Sequence, residues 1–444
     1  MNRSLWRNRP FMTLYAAQTI NLLGDALTWV GLALLAYDLA GNAAGQLLAT
    51  AFTLRVSAFV LISPWAGLLA DRYDRKTILI TTHLIRMGLT SLLPFVQQSW
   101  QLLAIVFGLN VFNGIFSPTY KATLPLVTGK ADYQSAIALS GTTYQFLGVL
   151  GPGLAGIVAA FVGVRQVFFL DAITFLMASL FVFSIPGQLN VKVKSSLATP
   201  QKVWQEISTG SFCLWRDRPM RYALLLQLVA ALAGAQVLVN TVSYVQGALH
   251  LGKPEYGWVM GAFGVGATLA AGALGRYATP QNRLKYLALG SLIITLAVLP
   301  ANLANLGGLM ALWAIAGMGQ SIVDLSTQTL IADRISVELQ GRVYGAHFAW
   351  SHLWWVIAYP IAGLSQHLYP QQYFAFSGAI GVCAIVILGI VIGLFPAENR
   401  GQWHEHSHHH SDEHQHGHDG LSLDPNDQLI SQHSHYHFHP LEQH

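Results

Sequence analysis

The stretch Gly67–Lys76, GLLADRYDRK, sets five charged residues between two long apolar runs. Charges this dense are costly in hydrocarbon, so the stretch reads as a short turn at a membrane surface between two spanning helices. Glycine lets neighbouring helices come close, and Asp71 is placed to pair with Arg72, Arg75 or the N-terminus of a neighbouring helix. A reduced copy, Gly272-Ala273-Leu274-Gly275-Arg276, follows at an offset of 205. Two more matches share nearly that offset. Thr123-Leu124, Asp132 and Gln134 answer Thr329-Leu330, Glu338 and Gln340, and Pro152 with Ala155-Gly156 answers Pro360 with Ala362-Gly363. The chain therefore reads as two halves of one repeat.

Composition extends this reading. Apolar residues make up 53% of the 444 and charged residues 10%, the profile of a membrane protein. Apolar runs long enough to cross the bilayer recur twelve times, near 11–39, 45–70, 77–97, 101–125, 136–163, 166–186, 221–249, 255–278, 284–304, 307–332, 342–368 and 372–396. The expected fold is an all-α membrane protein with twelve transmembrane helices in two six-helix pseudo-repeats, followed by a disordered His-rich tail. The halves are 1–186 and 221–400, the connector is 187–220 and the tail is 401–444. Thr199-Pro200 looks like a helix start, so the connector should carry an amphipathic helix at the lipid headgroups. No cleavable signal peptide is read at the N-terminus.

Of 24 Lys and Arg, 20 fall in or beside the N-terminus, the even-to-odd loops or the end of the last span. The positive-inside rule then puts both termini in the cytoplasm. Residues 401–444 hold seven acids and no Lys or Arg, which leaves a formal +11 on residues 1–400. That basic charge suits anionic lipid, so no nucleic-acid partner is expected. Cys213 and Cys383 suggest neither a disulfide nor a thiolate metal site. Absence of a phosphate-binding loop or nucleophile constellation argues against an enzyme.

Ionisable groups at membrane depth are expensive and mark function. Asp25 lies halfway along the first span and Asp324 deep in the tenth. Asn110 with Asn113, Gln236 with Asn240, and Gln320 with Asp324 are spaced three or four apart, which puts each pair on one helix face. A carboxylate there could bind a cation or a proton, or form a structural ion pair, such as Asp25 with Arg55. Asp171 and Arg86 read as packing or pairing residues, and His347 and His352 as core histidines.

The tail holds 13 of the 18 histidines. His404, His406, His408, His409, His410, His414, His416, His418, His433, His435, His437 and His439 are spaced for chelation by a flexible chain. Imidazole without thiolate suits nickel, cobalt or zinc. A divalent metal on the tail is the expected ligand, and no cofactor is required.

GLLADRYDRK resembles the signature loop of the major facilitator superfamily. That likeness implies a conformational latch at Gly67, Asp71, Arg72, Arg75 and Lys76; Asp74 departs from it, standing where the family usually has glycine. GVLGPGLAG, with Gly148, Gly151, Pro152 and Gly156, resembles the glycine-proline motif of superfamily exporters and should pack closely and bend. By family analogy, spans one, four, seven and ten line a central cavity. With the His-rich tail, the chain looks like nickel-resistance permeases of the NreB/NrsD type; the body is also similar to enterobactin exporters. The resemblance implies a monomeric proton antiporter exporting nickel, cobalt or zinc across the bacterial plasma membrane. A siderophore, metal chelate or drug is the alternative cargo, with the tail as buffer or sensor.

Overall fold

A computed structural model describes residues 3–187, 189, 200–277, 282–391, 401–409 and 432–440. After a short α1 (Arg3–Arg7), the first half runs α2 (Arg9–Ala40), α3 (Ala44–Arg72), α4 (Arg75–Leu92), α5 (Ser99–Val162) and α6 (Gln166–Ser184). The connector carries α7 (Pro200–Arg216). The second half runs α8 (Arg218–Ser243), α9 (Lys253–Tyr277), α10 (Arg283–Val298), α11 (Leu306–Arg334), α12 (Val337–Leu368) and α13 (Tyr373–Val391). Nine stretches among the described residues are long and apolar enough to cross a membrane, the first running through α2 into α3. The protein is an all-α, multi-pass membrane protein.

Spans four and five form one helical element. They meet at Gly129, whose φ of 68° and ψ of 176° lie where a side chain is strained, so glycine makes the corner without a loop. No other described residue of α5 leaves helical geometry.

The repeat shows in how each half is tied. Asn8 caps α2 by accepting from the Phe11 amide at 3.1 Å, and its Nδ2 donates to the Val127 carbonyl at 2.7 Å. In the second half Asp217 caps α8 through Met220 N at 3.1 Å and binds Arg334 Nη2 at 2.7 Å. First and fourth helices of each half are joined by the residue that caps the first.

Three apolar cores result. The largest joins both halves; a second gathers Phe11, Leu14, Phe116 and Val182 in the first half. In the third, Cys213 and Leu214 of α7 pack with Met220, Ile331, Leu339 and Val343. The connector helix is therefore docked under the second half, where Trp350 Nε1 donates to Ser211 Oγ at 3.1 Å.

Two stretches of the tail lie among the described residues. Gly401–His409 (β1) and Gln432–Pro440 (β2) pair as an antiparallel ribbon, with His404 opposite His437, His406 opposite His435 and His408 opposite His433. The reason is periodicity: His-x-His alternation is also the two-residue period of a strand. Gln402 pairs with His439 in the same register. The ribbon packs against α11 and α12.

Candidate functional site

Asp324 is the centre of the second-half site. Its position on α11 places Gln320 one turn earlier, and Gln320 Nε2 donates to both carboxylate oxygens at 3.2 and 3.1 Å. Around them α8 contributes Gln227 and Ala231, and α12 contributes Ser351, Trp354 and Trp355. Together they line a small cavity of about 30 Å³. Gln227 is held from behind by His347 Nε2 at 2.9 Å. Gln320 Oε1 is buried without a hydrogen-bond partner. A carboxylate, amides, a hydroxyl and two indoles can hold a cation or a polar group against an aromatic wall.

The spacing of Gln320 and Asp324 foretold their pairing. Nothing in one helix's periodicity links them to Gln227, Ser351 or the two tryptophans, which arrive from helices about 100 residues before and 30 after. Two adjacent tryptophans in "SHLWW" were the available signal.

Asp25 lies in the first half and is ion-paired, with Arg86 Nη2 at 2.5 Å from its Oδ1. Asn21 Nδ2 donates to its other oxygen at 3.2 Å, and Arg86 Nη1 donates to Asn21 Oδ1 at 3.1 Å. Arg55 is not the partner; its guanidinium lies 4.0 Å from the centre of the Trp29 ring. The expected Asp25–Arg55 pair is replaced because α4, packed against α6, brings Arg86 to Asp25. Arg86 and Asp171 were read as pairing residues, and Arg86 is one.

Other expected cavity residues have different partners. Asn110 is buried and its Nδ2 returns to Val106 O in its own helix at 2.8 Å, while Asn113 is half-buried. Gln236 Nε2 donates to Ser365 Oγ at 2.8 Å, and Asn240 Nδ2 donates to Gln236 Oε1 at 2.6 Å and Ala362 O at 3.0 Å. These are joints between α8 and α12, not open cavity groups. The correction is physical: buried amide N–H groups at a helix crossing find acceptors there, although Asn240 Oδ1 is left without a partner.

Gln236 and Asn240 belong to a seal between the halves. Gln366 Nε2 donates to Asn42 O at 2.8 Å, and Lys253 pairs with Asp38 at 2.8 Å. Phe52 and Tyr359 rings lie 5.1 Å apart. Gly156 meets the Gly257 backbone so closely that any Cβ would collide, while Gly151 abuts Ala26 and Gly148 faces open space. Close packing is the observed role of this motif; the Pro152 side chain lies outside what is described. The contacts of Asp38, Asn42 and Lys253 sit at the end of the bundle away from the N-terminus, where α2 ends and α9 begins.

At the opposite end, Gly67, Asp71 and Arg72 fall in the last turns of α3, with the Asp71 and Arg72 side chains outside the described set. Arg75 Nη1 donates to Ala122 O at 2.5 Å and Lys76 Nζ to Ile185 O at 2.6 Å. Asp74 caps α4 and accepts from the Leu189 amide at 3.0 Å. The carboxylate that departs from the usual pattern thus fastens the loop to the end of α6. In the second half Arg283, 208 positions after Arg75, pairs with Asp333 at 2.5 Å.

Among the tail histidines, His404, His406, His408 and His409 lie on β1 and His433, His435, His437 and His439 on β2. His410, His414, His416 and His418 lie outside the described residues. No group of three or more His, Cys, Asp or Glu that could hold a metal occurs among the described residues whose side chains are placed.

The family profile of the Major Facilitator Superfamily matches residues 14–245 and again 223–416. An uncharacterized MFS-type transporter, YfiS, of Bacillus subtilis (strain 168) is 27% identical over 413 residues, covering 90% of this chain and 97% of its own. Macrolide efflux protein A of Streptococcus pyogenes is 21% identical, over 86% of this chain and 95% of its own. The crystal structure of nucleoside transporter NupG superposes with a TM-score of 0.66 at 11% identity, covering 86% of this chain and 98% of that one.

Proposed function

The chain belongs to the Major Facilitator Superfamily, and from that premise we propose that it exports divalent metal ions, nickel foremost, by proton antiport. The membrane is a bacterial plasma membrane and both termini are cytoplasmic. The observation that carries this reading is the seating of the histidine ribbon on α11 and α12, two of the helices that line the Asp324 cavity. Directly opposed residues of an antiparallel ribbon have Cβ atoms about 5 Å apart. Two imidazoles at that spacing can close on one ion, so the ribbon gathers metal beside the cavity. Cargo then binds at Asp324, with Gln320 steering the carboxylate. The halves rock to open the sealed end, and proton influx drives the return.

A second reading keeps the transport and changes the cargo to a metal chelate, siderophore or drug. It is favoured by Trp354 and Trp355 in the cavity wall and by the single carboxylate there. Macrolide efflux by a relative points the same way.

The test is nickel uptake into inverted vesicles with an imposed proton gradient. The full chain, a 1–400 truncation and Asp324→Asn are compared. Gradient-dependent accumulation that survives truncation and fails in Asp324→Asn supports metal export through the body. No flux of nickel, cobalt or zinc, with metal still held by the tail, overturns it in favour of the second reading.

A further inference from the structure

A second polar cluster lies in the first half, apart from the Asp324 cavity. Asn21, Asp25 and Thr28 are spaced four and three apart on α2, so they share one helix face. Arg86 of α4 holds Asn21 and Asp25, as described. At the other end of the row, Thr28 Oγ1 donates to Asp171 Oδ2 at 2.5 Å, and Thr174 Oγ1 donates to Asp171 Oδ1 at 3.0 Å. Asp171 is 0% exposed and Asp25 is 23% exposed at its side chain. A Cβ on Gly24 would collide with Asp171 and Thr174, so glycine is what lets α6 come this close to α2.

Two features of the cluster are unspent. Both ring nitrogens of His83, fully buried one turn before Arg86, lack a hydrogen-bond partner, and so does Arg86 Nε. His83 and Arg86 share the Phe116 and Phe175 rings. The cluster sets two carboxylates, Asp25 and Asp171, near one guanidinium, Arg86, which is bonded to Asp25. Arg55 on α3 acts on Asp25 only through space, held off by its stacking on Trp29. From α5 the cluster receives the Phe116 ring, and from α6 Asp171 and Thr174. An excess negative charge buried at membrane depth is costly, and one proton removes it.

We propose that Asp25 and Asp171, balanced by Arg86, are the proton-binding site of this protein, distinct from the cargo site at Asp324. This rests on the proton-coupled reading above. Asp25, the more exposed carboxylate, admits the proton, and Thr28, one turn further along α2, holds the sealed Asp171 against the same helix face. One O–H bond forms on a carboxylate oxygen as the proton leaves water, and the same bond breaks when water takes it back. Asp171, which no spacing singled out, becomes the store. Arg86 keeps the cluster neutral in the protonated state and attracts the proton's departure.

The test needs no knowledge of the cargo. Infrared difference spectra of the full chain in lipid vesicles, taken across a pH titration, report the C=O stretch of a buried protonated carboxyl. Wild type should show such a band; Asp171→Asn and Asp25→Asn should each remove or shift it, and Asp324→Asn should leave it in place. Thr28→Val, which keeps both carboxylates, should move its midpoint. Absence of the band in wild type, or its persistence unshifted in both Asp171→Asn and Asp25→Asn, overturns the proposal. A band that behaves as expected in a protein with no proton-driven nickel flux retains the site and rejects the metal-antiport reading.

Discussion

Asp217 and Arg334 are both nearly buried, and Arg334 reaches both carboxylate oxygens through Nε at 3.1 Å. Removing one partner strands the other's charge, a cost of about 3–5 kcal/mol for a buried pair. Arg334→Ala should therefore lower the melting temperature of the detergent-solubilised protein sharply. Arg334→Ala with Asp217→Ala should recover part of the loss, because no unpaired charge remains. Nearby, burial and then the Asp217 carboxylate push the Cys213 thiol up to about 11. Folded protein holds that proton above the ordinary thiol range, whereas unfolded chain releases it near 9. Stability therefore falls as pH rises through that window, and Cys213 should resist thiol reagents at pH 8 until the chain is denatured. Mass spectrometry of the labelled connector checks this. Legibility at this scale follows distance along the chain. Gln320 and Asp324 were readable from a spacing of four. The choice between Arg55 and Arg86 for Asp25 was not, since both lie on neighbouring spans and only packing decides. Asp171 reads as a packing or pairing residue and is one, but its partner Thr28 could not be read, since it lies 143 positions away.

At the scale of elements, the twelve spans were legible because hydrocarbon imposes a length, and the observed helices begin and end within a few residues of the apolar runs. Less visible was the corner at Gly129, where a loop was expected between spans four and five. A turn made by one positive-φ glycine leaves no polar stretch to read. The tail was read for its chemistry and missed for its geometry, since alternating histidines satisfy both a chelator and a strand. Neutral imidazole is the ligand form, so nickel held by the full chain should fall as pH drops below about 6.5. Equilibrium dialysis of the full chain against nickel, with the 1–400 truncation as control, measures it. The glycine contact between α5 and α9 gives another expectation. Gly156→Leu overpacks the seal by about 1–3 kcal/mol. Val245 is fully buried at that end. With both native cysteines replaced by serine, a cysteine at Val245 should label about tenfold faster when Gly156→Leu is added, since 1.4 kcal/mol is a factor of ten.

Across the whole molecule, the two halves are alike in plan and unlike in chemistry. The joint of first to fourth helix is an amide on a carbonyl in one half and a buried ion pair in the other. The carboxylate at membrane depth opens on a cavity in the second half and faces a guanidinium in the first. Duplication preserved the frame, while each copy's polar interior took its own course. Among the described residues the seal between them contains one ion pair, Lys253 with Asp38, and both side chains are about a third exposed. Such a pair contributes about 0–1 kcal/mol. Lys253→Gln should thus change the transport rate by no more than about fivefold in the vesicle assay. The other seal contacts described above are backbone against backbone, amide against carbonyl and ring against ring, none of which dissolved ions screen. A cell moving from fresh water to brine would carry a gate that closes equally well in both.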